Sequence, residues 1–397
     1  MSDVTIASTI ETQISNITAA LEDKEEFIHS ASYEIGLLGL SLYYCYYAKY
    51  TGDERYYGKA EEYLVKGLSA LDLPNFKRLY ASDSLDSHLA HIGRFLEFSK
   101  LQNFLDMDTQ EYLQDLDKTL SGLMQSKISI GDFDINSGAM AAGFYYLSRL
   151  KNEPSVSEQL SILVHGIKEQ AIKDEDGDYY WSSPSLFQRV YLGISHGSCL
   201  VISFLANACE QNIEQEACKE ILRKAVNFVL KQRWYNNSKG LFPNFIGDPI
   251  EPKQFSLCYG DLGVGYALFR AAGVLDDEAL SAAVTEILDD CLLRSGKDKL
   301  TLDASIIYGA AGLAATYEKL YRLSGDSRFD EAADYWYEQI PAYAVHENEF
   351  AGYKTRLLDV GPVWNVSFGW GIIGIGISLM IYKDRSLPPI DALILCA

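Results

Sequence analysis

A turn, a helix cap and a pair of glycines recur along this chain in one register, and no other feature constrains the fold as strongly. Gly36-Leu-Leu-Gly39-Leu40 matches Gly309-Ala-Ala-Gly312-Leu313 at an offset of 273 residues. With no gap, Thr51-Gly52-Asp53-Glu54-Arg55-Tyr56 then matches Ser324-Gly325-Asp326-Ser327-Arg328-Phe329, and Ala60 falls on Ala333. Chance seldom preserves so many turn residues at one offset, so this is an internal repeat. Its physical content is the same in both copies. A glycine starts a nearly all-apolar helix, Thr51-Gly52 stops it, and Asp53 caps a second, amphipathic helix, ERYYGKAEEYLVKGL. The unit is a helical hairpin.

Further copies begin at Gly138 (SGAMAAGFYYLSRL), Gly197 (HGSCLVISFLANACE), Gly260 (YGDLGVGYALFRAAG) and Gly371 (WGIIGIGISLMIY), with a worn copy around Gly93 in SHLAHIGRFLEFSKL. Seven copies about 45 to 63 residues apart leave room for two helices each. Residues 1 to 30 read as an amphipathic helix with Ile10, Ile14, Ile17 and Leu21 at helical spacing. Strand signals reach only YYWSS and Phe187 to Leu192. An open solenoid would need polar end caps and would expose one face, whereas the glycine-led helices are apolar almost all round. The expectation is therefore an all-α fold, a closed α/α toroid of inner helices within outer helices. It forms one domain over 1–397, with 1–30 packed on it or leading into it. The glycine loops then gather at one end around a shared pocket.

Charge and cysteine usage exclude several classes of function. The balance of 34 basic against 55 acidic residues gives a net charge of −21, which disfavours nucleic acid and anionic membrane. It suits a basic peptide, although most acidic surfaces are only solvated. The seven cysteines (45, 199, 209, 218, 258, 291 and 396) show no short spacing, so neither a disulfide framework nor a CxxC pair is expected, and a reducing cytoplasm is. The N-terminus lacks the basic region and apolar core of a signal peptide. GIIGIGISLMIY is too short for a membrane span.

Four glycine loops carry reactive side chains just before the turn: Asp134 in FDINSG, His196 in SHG, Cys258 in CYG and Tyr308 in IYG. Each alone has an ordinary explanation. Asp134 could cap a helix, His196 could be a satisfied half-buried imidazole, Tyr308 could be packing, and a free cysteine is usually a small buried hydrophobe. At corresponding repeat positions, however, all four are expected to converge on one end of the toroid. Gly260 is expected to take backbone angles that other residues avoid.

The repeated glycine-led helices, the SHG and CYGDLGVGYAL segments and the final GIIGIGISLM run resemble lanthionine synthetase C-like proteins, the LanC-type cyclases, over residues 30 to 385. The resemblance implies an α/α toroid and a role in lanthipeptide-type modified-peptide biosynthesis. There, a cysteine thiol of a precursor peptide adds to a dehydrated Ser or Thr and closes a thioether ring. Such enzymes hold zinc with a cysteine of a W-C-Y-G segment and a Cys-His pair of a later C-H-G segment. Cys258 stands at the first ligand position, but Ile307 and Tyr308 replace the other two, in Ser305-Ile306-Ile307-Tyr308-Gly309. His196 matches the family's histidine-glycine motif, whose imidazole is proposed to move protons near the metal, and Asp134 its acidic position. Leu257 replaces the tryptophan before the cysteine, and Gln254 sits where an arginine is often found.

Catalytic zinc takes three protein ligands and one open position. Isoleucine has no lone pair and a neutral tyrosine is a poor ligand, with Asp303 the one nearby substitute. No cofactor is therefore expected, although the resemblance itself implies zinc. A free thiol near pKa 8.5 is only slightly ionised at neutral pH, so His196 as general base would carry the proton chemistry. Three readings stay open at this point. The first is a zinc-free cyclase acting on a precursor peptide. The second is a non-catalytic peptide-binding scaffold partnering a dehydratase. The third is a carbohydrate enzyme of the same fold using Asp134 and Asp261 as opposed carboxylates.

Overall fold

The computed structural model describes residues 3–28, 30–69, 84–234, 240–250, 253–356 and 361–394. In chain order the helices are α1 (Asp3–Leu21), α2 (Leu37–Thr51), α3 (Arg55–Ser69), α4 (Leu85–Leu101), α5 (Gln110–Ser129), α6 (Met140–Arg149) and α7 (Ser157–Glu169). A two-stranded antiparallel ribbon follows, β1 (Ile172–Lys173) with β2 (Tyr179–Tyr180). Then come α8 (Ser198–Glu210), α9 (Gln215–Lys231), α10 (Asp261–Leu275), α11 (Glu278–Leu292), α12 (Ala310–Ser324), α13 (Ser327–Gln339), the short α14 (Pro362–Val366) and α15 (Ile372–Lys383). The weak strand signal of 187–192 becomes two isolated bridges, Ser183 with Arg189 and Tyr191 with Phe245.

The repeat has a steric cause. At Gly36, Gly197, Gly260, Gly309 and Gly371 a Cβ would lie 2.2–2.4 Å from the carbonyl oxygen six residues earlier, contributed by Ser30, Tyr191, Gln254, Asp303 and Asn365. The loop folds back until that carbonyl touches the helix start. At several copies it accepts the first helical amide, as Ser30 O does from Leu37 N (2.8 Å) and Asp303 O from Ala310 N (3.0 Å). Side chains are excluded by contact at all five, and at Gly260 the backbone adds its own demand with φ +113°. The second glycine of each pair obeys the same geometry: a Cβ at Gly312 would meet Ile306 O, and one at Gly374 would meet Phe368 O.

The worn copy departs from this pattern. Gly93 lies in the middle of α4, eight residues past its start, and is small because the Tyr145 ring presses on it. Its resemblance to the other copies comes from a buried helix without the glycine turn.

The chain divides into two compact units, residues 1–76, 98–107 and 295–391, and residues 77–97, 108–294 and 392–397. In the first, α2 and α12 are buried along most of their length, while their partners α3 and α13 bury one stripe each. Asp53 and Asp326 cap those partners as expected, accepting from Arg55 N (3.1 Å) and Arg328 N (3.0 Å). Ile10, Ile14, Ile17 and Leu21 seat α1, whose Thr18 Oγ1 lies 2.7 Å from the Tyr43 hydroxyl. Tyr43, Tyr44, Tyr47, Tyr56 and Tyr63 form one ring cluster, which accounts for part of the tyrosine excess. In the second unit α8 and α10 are buried and pack on amphipathic α9 and α11. A buried Arg149 is held there by Glu97 (2.8 Å) and Asp117 (3.3 Å).

Candidate active site

Three of the four loop residues meet in the second unit. Asp134, 1% exposed, sits in a turn whose geometry aims its carboxylate: Oδ1 accepts from Asn136 N (2.8 Å) and Ser137 N (3.2 Å). Oδ2 is left to face His196 Nδ1 at 2.5 Å. His196 occupies the position before Gly197, so the glycine contact that starts α8 also fixes where the imidazole stands. Its own carbonyl accepts from Ser183 Oγ (2.7 Å), which pins the loop from below. The rings of Tyr191 and Tyr259 flank it at 6.0 and 6.3 Å.

Cys258, 2% exposed, donates to Ser195 Oγ at 2.8 Å and also hydrogen-bonds the His196 ring. The backbone lets it in closely: a Cβ at Gly193 would lie 2.9 Å from Cys258 O. Ser195 is the member that sequence reading passed over. Its signal was present, a hydroxyl beside the histidine of the SHG motif, but serine is too common in loops to stand out.

Burial alone would lower the His196 pKa, yet the ring is raised from 6.5 to about 10. The Asp134 charge, its hydrogen bond and the Cys258 contact outweigh desolvation. Near neutral pH the site therefore holds an imidazolium. The Tyr259 hydroxyl is pushed up by burial and stays neutral.

Tyr308 and Ile307 belong to the first unit. Tyr308 is buried with its ring 6.3 Å from Trp370, and Ile307 is buried with its amide donating to Gly369 O (3.0 Å). Asp303 is fully engaged: Oδ1 accepts from Ser305 N (2.9 Å) and Ser305 Oγ (2.7 Å), and Oδ2 from Arg356 N (3.0 Å). Asp261, the second carboxylate of the carbohydrate reading, is 0% exposed. It accepts from Leu241 N (2.9 Å) and Phe242 N (3.0 Å) and pairs with Arg294 (2.5 Å). Full burial and these three contacts give it a structural role in holding the 241–242 backbone and Arg294.

The donor chemistry can be tested against zinc. Ile307 offers no lone pair, Tyr308 is a buried phenol, and Cys258 is hydrogen-bonded to two side chains. Among the described residues one group of three carboxylates lies within ligating distance, Asp174, Asp176 and Asp178, and it does not include Cys258. Lys231 Nζ already stands among those three at 2.9, 2.6 and 2.5 Å. No described helix is long and apolar enough to cross a membrane.

A family model described as lanthionine synthetase C-like protein matches residues 28–392. No curated protein matches the sequence. Among solved structures, a nisin cyclase aligns with TM-score 0.72 at 19% identity, covering 98% of each chain. That likeness places the chain in the α/α-toroid fold. A cellobiose 2-epimerase from Bacillus thermoamylovorans B4167 aligns with TM-score 0.41 at 12% identity, covering 62% of this chain and 70% of that one. A sugar epimerase from a ruminal bacterium aligns with TM-score 0.39 at 13% identity, covering 62% and 71%.

Proposed function

The chain belongs to the lanthionine synthetase C-like family, and from that premise we propose that it closes thioether rings in a dehydrated peptide without zinc. One observation carries the proposal: a single imidazole, His196, is paired through Nδ1 with a buried Asp134 and touches the Cys258 thiol. The donor set does not fit a catalytic zinc, so no step runs through one.

The raised His196 pKa changes the role the sequence suggested. A protonated imidazole is not a base, but it is a cation and a proton donor. A peptide thiol arriving at the site ionises more readily beside that cation. The thiolate sulfur adds to the β-carbon of a dehydroalanine or dehydrobutyrine, and the double-bond electrons move onto the α-carbon and its carbonyl. The thiol proton passes to solvent water, His196 gives its own proton to the α-carbon, and the neutral ring is reprotonated from solvent, so the protons balance over the cycle. Asp134 keeps the imidazolium present and its edge fixed, and Cys258 and Ser195 line the approach.

The test uses a synthetic peptide carrying one dehydroalanine and one cysteine. Ring closure leaves its mass unchanged but removes its reactivity toward iodoacetamide, and fragmentation then skips the closed segment. Thiol loss no faster than in buffer would remove the enzymatic reading. The same missing zinc donors favour a second reading, a scaffold that presents the peptide to a dehydratase. It predicts peptide binding that survives His196→Ala, with no ring formed by the wild-type protein.

A further inference from the structure

Beside the His196 site the chain holds an exposed apolar and cationic strip in unusual backbone. Phe187 (φ +60°) and Gln188 (φ +53°) are the one consecutive pair of non-glycine residues in the left-handed region among the described residues. Such a pair persists only where its surroundings impose it. Here Gln188 N donates to Ser183 O (3.1 Å) and Ser183 N to Arg189 O (2.9 Å), closing the loop around them. The result is a Phe187 left 72% exposed, the most exposed aromatic side chain described. Hydrophobic collapse would hide that ring; this loop presents it.

Arg189 follows directly, its guanidinium 4.3 Å from the Phe245 ring and 5.7 Å from Phe187. No described carboxylate pairs with it, in a chain of net charge −21. Ile246, 43% exposed, continues the strip, its amide donating to Val190 O (2.9 Å). The strip is continuous with the site. Arg189 hydrogen-bonds Tyr191, and the Tyr191 ring lies 5.8 Å from Phe245 and 6.0 Å from His196.

We propose that Phe187, Arg189, Phe245 and Ile246 form the docking strip for the substrate peptide, taking a carboxylate on Arg189 and an adjacent apolar side chain between Phe187 and Ile246. This rests on the reading of the site as a peptide-modifying one. An acidic protein repels an acidic peptide as a whole, so one isolated guanidinium at the rim selects for a single carboxylate in an otherwise neutral or basic chain. The two rings and the Tyr191 contact orient the planar cation, and a guanidinium carries five N–H donors, so those that Tyr191 does not use can take a carboxylate. The peptide is thereby set in register with His196.

The probe is a fluorescein-labelled synthetic peptide with a Leu-Glu pair next to its dehydroalanine and a cysteine further on. Its affinity is measured by anisotropy at moderate salt, and ring closure is followed separately on the same peptide. Arg189→Glu should weaken binding roughly three- to tenfold, and Phe187→Ala by a similar factor. Replacing the peptide glutamate by lysine should restore binding to the Arg189→Glu protein, a rescue that a merely structural role cannot produce. Equal affinity for wild type and Arg189→Glu, or failure of the swap, overturns the docking strip. Arg189-dependent binding without ring closure removes the enzymatic reading and keeps the strip. No binding to the wild-type protein overturns both. Sedimentation that depends on concentration in the wild type and not in Phe187→Ala would assign the strip to a second copy of this chain instead.

Discussion

Replacing Asp134 by asparagine preserves the shape of the turn and removes one charge, which isolates what the carboxylate does to His196. The asparagine oxygen can still accept from Asn136 N and Ser137 N, as Asp134 Oδ1 does now. What is lost is the charge 2.5 Å from Nδ1. Burial, the largest influence on this ring, then acts without its main opponent, so the folded pKa should drop from about 10 to below the ordinary 6.5. At about 1.4 kcal/mol per pH unit, the wild-type elevation corresponds to roughly 5 kcal/mol. Because the folded pKa is raised above the unfolded one, that stabilisation is complete below pH 6.5 and is lost as pH rises to about 10. Urea melts of wild type and Asp134→Asn should therefore differ most near about pH 6 and converge near about pH 10, and the His196 resonance in histidine-selective ¹⁵N spectra should titrate accordingly. Ring closure should fall by roughly a hundredfold or more, since the variant lacks both cation and proton donor at neutral pH. A stability gap of equal size at both ends of the range, or a wild-type His196 titrating near 6.5, would refute the reasoning.

Other consequences follow from the same contacts. Gly309→Ala would drive a methyl to 2.3 Å from Asp303 O and should cost several kcal/mol, whereas Gly58→Ala, on exposed α3 with open space around it, should stabilise by about 0.5–1 kcal/mol; thermal melts of the two compare them directly. Asp261→Ala leaves two buried backbone amides unpaired and Arg294 with Asp290 alone, and should destabilise by about 3–5 kcal/mol in chemical denaturation. Purified protein should carry zinc far below one equivalent by elemental analysis, and ring closure should survive chelator; stoichiometric zinc would overturn the zinc-free proposal.

The parts of this molecule that could be read in advance are those where backbone contact dictates residue type. A carbonyl 2.2–2.4 Å from where a Cβ would stand permits only glycine, so Gly36, Gly197, Gly260, Gly309 and Gly371 announce their turns in any sequence. Side-chain packing gives no such command. The worn copy around Gly93 joins the series because a glycine pressed by the Tyr145 ring looks the same in sequence as one pressed by a carbonyl. Asp134 and His196 were legible since each lies in the loop that leads into a glycine turn, and the turns themselves carry both residues to their meeting point. The charge state of the pair was not legible. It depends on a 2.5 Å approach across 62 residues, set against the desolvation of a site whose burial no local motif encodes. Ser195 and Arg189 do not stand out for a related reason: each is an ordinary loop residue until a distant partner, Cys258 or Phe245, is folded against it. The repeat thus specifies where chemistry can be placed in this fold, while the non-repeated loops between the copies decide which chemistry it is. Exchanging the tip of the loop, Phe187–Arg189, should therefore alter peptide choice without disturbing the helix starts, which rest on the glycine contacts.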